Sequence, residues 1–249
     1  MANITVYRGF PTTPKCVWSP FVNKLEARLR FAGIAYNLEQ GSLLKAPRGK
    51  IPYISIRAGI FGGYAAHQLT ESGILPDLNE HLSPAEKTMD QALRALLEDK
   101  LYFYNGNERW NENYYTMRDG VMASIPYPIR VIVGLLAWRN NNAGLYSQGT
   151  GRFSAEEIHS FRDKIWHSLD DLLAESRHKA PSGQKVFWAL GGKGPTEADT
   201  SLFAFVIAGL VCDAGPDSRK LIRTLPNVID YARRIHEEYF ADYEAPAWE

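Results

Sequence analysis

The feature that most constrains this fold is a change of pattern near residue 75. Before it, short β-rich runs alternate with single helical stretches; after it, every periodic stretch is helical. Ile4-Thr5-Val6-Tyr7 reads as a strand, and Phe21, Leu25, Leu29 and Ala32 recur at helical spacing until Gly33. Ile34 to Leu38, Ile54-Ser55-Ile56 and a weak run from Ala58 to Phe61 read as further strands. Tyr64 to Thr70 reads as a short helix that stops at Gly73. That order is too short for a doubly wound dinucleotide-binding sheet and fits a compact α/β module.

Ile74-Leu75-Pro76-Asp77-Leu78 marks a linker, so the expected organisation is an α/β unit over 1–75, a linker over 76–82 and an all-helical unit over 83–249. Ser83-Pro84-Ala85-Glu86 is a capping box with proline at the first helical position, followed by Leu93, Leu96, Leu97 and Leu101. Ser154-Ala155-Glu156-Glu157 opens a second helix whose expected apolar stripe is Ile158, Phe161, Ile165, Leu169 and Leu172. Thr196-Glu197-Ala198-Asp199 opens a third; Leu202 to Cys212 is apolar almost all round, as in a buried central helix.

Charge and sulfur narrow the function classes. Lys+Arg and Asp+Glu both number 28, and that balance argues against a nucleic-acid binder. Cys16 and Cys212 are the only thiols, with no CxxC pair or His/Cys cluster, so no metal site is expected and a reducing compartment suits the chain. No secretory signal and no apolar run of about 20 residues are visible, so a cytoplasmic protein without a membrane span is expected. Six Trp, thirteen Tyr and eleven Phe supply the side chains that line apolar small-molecule pockets.

Three segments could carry chemistry. Ser19-Pro20-Phe21 stands where the first loop becomes the first helix. A hydroxyl there can cap the helix, worth about 1 kcal/mol, and can also meet an anion at the positive dipole end. Lys50-Ile51-Pro52 enters a strand, where a cis proline would turn the backbone of Ile51 toward an extended ligand and a trans proline would be an ordinary strand start. Gly62-Gly63 precedes a short helix and reads either as bare amides for a carboxylate or as a plain turn. Tyr102, Tyr104, Trp110, Tyr114, Tyr115 and Met117 cluster on or after the first long helix, as pocket walls or as packing. The six histidines are scattered; His159 and His167, eight apart, are too distant to ligate together, and His67 follows the glycine pair.

Ser19-Pro-Phe-Val-Asn-Lys-Leu-Glu26, Pro47-Arg-Gly-Lys-Ile-Pro-Tyr53, Thr196-Glu-Ala-Asp199 and the stretches 125–136 and 148–157 together resemble the glutathione transferase superfamily, and more closely its failed-axon-connections and metaxin-like branch. The resemblance implies a thioredoxin-like N-terminal domain followed by an all-helical C-terminal domain. It implies glutathione as co-substrate, with Lys50, Ile51, Pro52, Gly62 and Gly63 around it and Ser19 at the position that stabilises the thiolate. It also implies an apolar site between the domains, for which Trp18, Tyr102, Tyr104, Trp110 and Tyr114 are the expected substrate contacts, and a homodimer. A thioltransferase would need cysteine at the catalytic position, and Cys16 lies three residues too early.

One departure stands out. The family places an acidic residue and a serine at the turn that holds the γ-glutamyl group, whereas Ile60-Phe-Gly-Gly-Tyr-Ala-Ala66 has neither, and Glu71-Ser72 comes after the helix. Losing such a charged hydrogen bond costs about 1.5–3 kcal/mol of binding. Three functions are therefore expected in order: a glutathione-dependent enzyme acting by conjugation, elimination or isomerisation on an apolar, aromatic electrophile; a glutathione-independent isomerase, dehydratase or cyclase; and a non-catalytic, metaxin-like interaction protein.

Overall fold

A computed structural model describes residues 4–56, 59–62 and 65–249. Strand β1 (Ile4–Tyr7) leads through a long loop into α1 (Pro20–Phe31), then β2 (Tyr36–Glu39), β3 (Tyr53–Ile56), β4 (Gly59–Phe61) and α2 (Ala65–Glu71). The sheet order is β2-β1-β3-β4, with β1 parallel to β2 and the other pairs antiparallel. Parallel strands need a crossover, and α1 supplies it. Ile4, Val6, Leu25, Leu29, Ile54 and Leu69 make the core between sheet and helices. The second strand starts at Tyr36 rather than Ile34, because Ile34 is spent on the turn that closes α1, its N–H donating to Leu29 O (3.0 Å). Ala58 and Tyr64, expected at the starts of an edge strand and a helix, lie outside the described residues.

The rest is helical. From the capping box at Ser83, α3 (Pro84–Ala95) continues through a π-helical stretch (Leu96–Leu101) into α4 (Tyr102–Asn107) and a second π-helical stretch (Glu108–Glu112). Then follow α5 (Tyr114–Val121), α6 (Ile129–Gln148), a 3-10 turn over Thr150–Arg152, α7 (Ala155–Lys179), α8 (Glu197–Val211), α9 (Pro216–Arg223) and α10 (Pro226–Tyr239). A thioredoxin-like sheet domain followed by a helical domain is thus the observed architecture. Among the described residues no single helix is long and apolar enough to cross a membrane.

Helix α8 is the axis of the helical part, buried from Ala198 through Leu210. Its N-terminus is secured by carboxylates instead of solvent: Asp199 accepts from the N–H and hydroxyl of Thr196 (2.8 and 2.9 Å), and Asp90 accepts from the N–H of Ala198 (2.7 Å). Burial raises the Asp199 pKa, and the bonds from Ala189, Thr196 and Tyr231 oppose that rise. The deepest positions of α7 are Ile158, Arg162, Trp166, Leu169, Leu173 and Ser176, and the expected Ile165 and Leu172 pack half-buried against the same core, with Phe161 half-buried against Tyr104 and Phe153. Hydrophobicity alone misses Arg162, which is buried because the Glu108 carboxylate neutralises it at 2.9 Å.

Candidate active site

Topology gathers the expected site at one end of the sheet. Tyr7 at the end of β1 pairs with Tyr53 at the start of β3, and Phe61 at the end of β4 pairs with Ile54. Since α1 returns antiparallel to β1, Ser19, Ile51-Pro52 and Gly62 all belong to this end.

Ser19 is the N-cap of α1: its Oγ accepts the N–H of Val22 (3.4 Å), and the first turn carries no acidic residue to compete for the positive pole. A hydroxyl has one hydrogen and two acceptor sites, so capping leaves the O–H free to donate. The loop before it is clamped by the buried Asn23, which accepts from Val17 N–H (3.0 Å) and donates to Val17 O (2.8 Å). Asparagine inside a helix is a poor helix former, and that mismatch was the available sequence signal for Asn23.

The Ile51-Pro52 peptide bond is cis. The Ile51 side chain fits against Gly9, where φ is 70° and a Cβ would stand 2.5 Å from Ile51 Cδ1, so only glycine suits that turn. Lys50 is exposed. Gly62 backs onto Pro47, where a Cβ would approach its carbonyl oxygen to 3.2 Å. Gly63 lies outside the described residues. Beside Gly62 a hollow of about 280 Å³ is lined by Arg48 and Gln68, two polar groups that sequence reasoning did not single out, because neither belongs to a spacing pattern. Glu71 and Ser72 are committed at the far end of α2, Glu71 pairing with His67 (3.3 Å) and the Ser72 hydroxyl donating to Leu69 O (3.0 Å).

The aromatic residues divide. Trp18 seats its indole on Gly120 of α5, and its carbonyl accepts from Arg109 (2.9 Å), whose other arm donates to Ala208 O at the end of α8 (3.3 Å). Phe21 of α1 meets Tyr102 of α4 (centroids 5.0 Å) and Phe205 of α8 (6.3 Å). Tyr102 is 38% exposed, yet burial raises its phenol pKa while nearby Arg109 pulls it down. Its ring is partly open to solvent and packs on Phe21 and Phe103. Tyr104 turns to the opposite side of the same helix, buried against Phe161 of α7 (6.0 Å). Trp110 is half-buried in the second π-helical stretch. Tyr114 packs toward α6, where a Cβ on Gly134 would sit 2.9 Å from its hydroxyl, under the Arg118 guanidinium at 5.7 Å. The structure therefore sets Tyr102 against Phe21 in the first turn of α1, holds the Trp18 carbonyl with Arg109 and its indole on α5, and directs Tyr104 and Tyr114 elsewhere.

Cys16 is 7% exposed, and burial, reinforced by the Glu26 charge, pushes its thiol up to about 12. A thiol so desolvated stays protonated and is no nucleophile.

Comparison with known proteins fits this geometry. A family model described as glutathione S-transferase N-terminal domain matches residues 20–117. The isoprene-epoxide–glutathione S-transferase of Rhodococcus sp. (strain AD45) is 26% identical over 249 residues, covering 95% of this chain and 99% of the relative. Among solved structures, glutathione transferase GSTFuA2 from Phanerochaete chrysosporium superposes with a TM-score of 0.60 at 16% identity, covering 98% of this chain and 99% of the other. The β-etherase LigF from Sphingobium sp. strain SYK-6 gives 0.57 at 14% identity, covering 96% and 99%. The sequence thus matches a glutathione S-transferase N-terminal domain over residues 20–117, and the fold matches glutathione transferases over nearly the whole chain.

Proposed function

We propose that this protein is a glutathione transferase-like enzyme that uses glutathione to open or displace a group on an apolar electrophile. The observation that carries this reading is Ser19, a half-buried N-cap whose oxygen takes the Val22 N–H while its hydrogen is left to donate. In the proposed reaction that O–H donates to the glutathione sulfur, lowers its pKa and aligns it for attack, with the first turn of α1 adding its positive pole. Ile51, Pro52, Lys50 and Gly62 border the tripeptide, and Gly63 is expected there too. Arg48 and Gln68 line the hollow beside Gly62 and offer a cation and an amide to a carboxylate of the tripeptide. Trp18, Phe21 and Tyr102 offer an apolar wall to the electrophile. The relative's name makes a small epoxide the first substrate to try. A homodimer, the habit of the family it resembles, and a cytoplasmic location belong to the same proposal.

A second reading, a glutathione-independent isomerase, dehydratase or cyclase, is favoured by the commitment of Glu71 and Ser72 away from Gly62. Calorimetric titration of glutathione into the purified protein separates the two. Saturable binding with a dissociation constant at or below about 1 mM supports the first, and its absence with turnover retained supports the second. A product formed under either condition excludes a purely non-catalytic, metaxin-like role.

A further inference from the structure

Away from the cleft, three ligating side chains from distant parts of the chain converge. Glu112 ends the second π-helical stretch, His159 lies in the second turn of α7, and Asp217 lies in the first turn of α9. One donor atom from each lies within 4.8 Å of the others. His159 Nε2 stands 2.9 and 3.0 Å from the two oxygens of Glu112.

We propose that Glu112, His159 and Asp217 form a divalent transition-metal site of the zinc class, independent of the glutathione cleft. One imidazole nitrogen and two carboxylate oxygens are a ligand set that zinc accepts, leaving a fourth position for water. Bonds of about 2.0–2.2 Å set tetrahedral ligands roughly 3.3–3.5 Å apart, so the exposed Asp217 side chain has at most about 1.5 Å to close. Imidazole favours zinc over magnesium or calcium, and the absence of thiolate disfavours softer ions. Two carboxylates match the charge of the ion, which lessens its repulsion from the Lys220 ammonium that lines a groove of about 350 Å³ with His159 and Asp217.

A plain His–Glu ion pair would need no scaffold behind it, whereas this cluster has one. The Glu108 carboxylate, one turn before Glu112 and 1% exposed, accepts from Arg162 Nη1 (2.9 Å), three residues beyond His159. It also accepts from the N–H groups of Asp217 (2.9 Å) and Ser218 (3.0 Å) and from the Ser218 hydroxyl. One buried carboxylate thus braces all three ligand-bearing segments, and Asn107 Nδ2 orients Glu112 from behind (2.9 Å). A bound ion would clamp the start of α5 to α7 and α9.

The test is titration of zinc chloride into full-length protein stripped with a chelator and dialysed free of it, read by calorimetry and thermal unfolding, with cobalt(II) absorption reporting tetrahedral coordination. The expected result is one ion per chain, a higher Tm with zinc, and at least about tenfold weaker binding in both His159→Gln and Asp217→Asn. Asp217→Asn keeps the backbone N–H that Glu108 uses, so its metal-free Tm should match the parent. His67→Gln removes an exposed histidine paired with Glu71 elsewhere and should change nothing. No saturable binding up to about 1 mM zinc, or binding indifferent to His159→Gln and Asp217→Asn, overturns the proposal.

Discussion

Ser19→Ala separates the two roles of one hydroxyl. As the N-cap of α1, Ser19 takes the Val22 N–H at 3.4 Å, and its loss should cost about 1 kcal/mol of stability. For a chain of this length that is about 2–4 °C in Tm. In its proposed role as donor to a thiolate it would make a charge-assisted hydrogen bond of about 1.5–3 kcal/mol, whose loss is equivalent to a fall of about 10- to 150-fold in kcat/KM. Under that proposal the same energy lowers the thiol pKa, so its removal should move the acid limb of the pH–rate profile about 1–2 pH units toward alkali. Stopped-flow conjugation of an epoxide or chlorinated aromatic across pH, beside calorimetric unfolding, reads both quantities. Ser19→Thr should keep the cap and most of the rate. A Ser19→Ala variant that loses only Tm, with rate and pH profile unchanged, would refute the thiolate role and leave Ser19 a cap.

Three further outcomes follow from geometry. Gly120→Ala should destabilise by about 1–3 kcal/mol in chemical denaturation, because its Cβ would land 2.1 Å from the Trp18 ring, and the stabilisation ordinary for Gly→Ala in a helix would contradict the contact. Asp242 makes a two-point bond to Arg30 (2.5 and 2.9 Å), which holds its pKa below 3.8; its contribution is therefore present above that value and lost as pH falls through the depressed pKa. Asp242→Asn should lower Tm at pH 7 and converge with the parent in acid, and a difference that persists there would show the ion pair irrelevant. With Cys16 pushed up to about 12 and Cys212 raised by burial, Ellman's reagent at pH 8 should find neither thiol until the protein is unfolded, and fast labelling of Cys16 in the folded protein would reverse that assignment.

Much of the fold was legible because its signals are local. The capping boxes at Ser83 and Ser154 and the cap residue Ser19 each set a helix start within a few residues of themselves, and those starts appear as expected. The apolar run of α8 needed only its neighbours in sequence to announce burial. The α7 stripe was legible in Ile158 and Leu169 but lacked Arg162, which is buried by a partner 54 positions away, and no periodicity of α7 contains Glu108. The aromatic cluster divided for a related reason: Tyr102 and Tyr104, two positions apart on a helix, face nearly opposite ways, and which of them meets Phe21 depends on where α1 docks.

Sequence alone determined the sheet-then-helix order, the helix starts and the candidate hydroxyl, since propensity, capping and periodicity act over one or two turns. Tertiary structure alone decided that Trp18 sits on Gly120, that Arg109 ties the Ser19 loop to α8, and that Glu112, His159 and Asp217 share one corner. Those contacts join residues tens to about a hundred positions apart, and only the packing of whole helices against one another sets such distances.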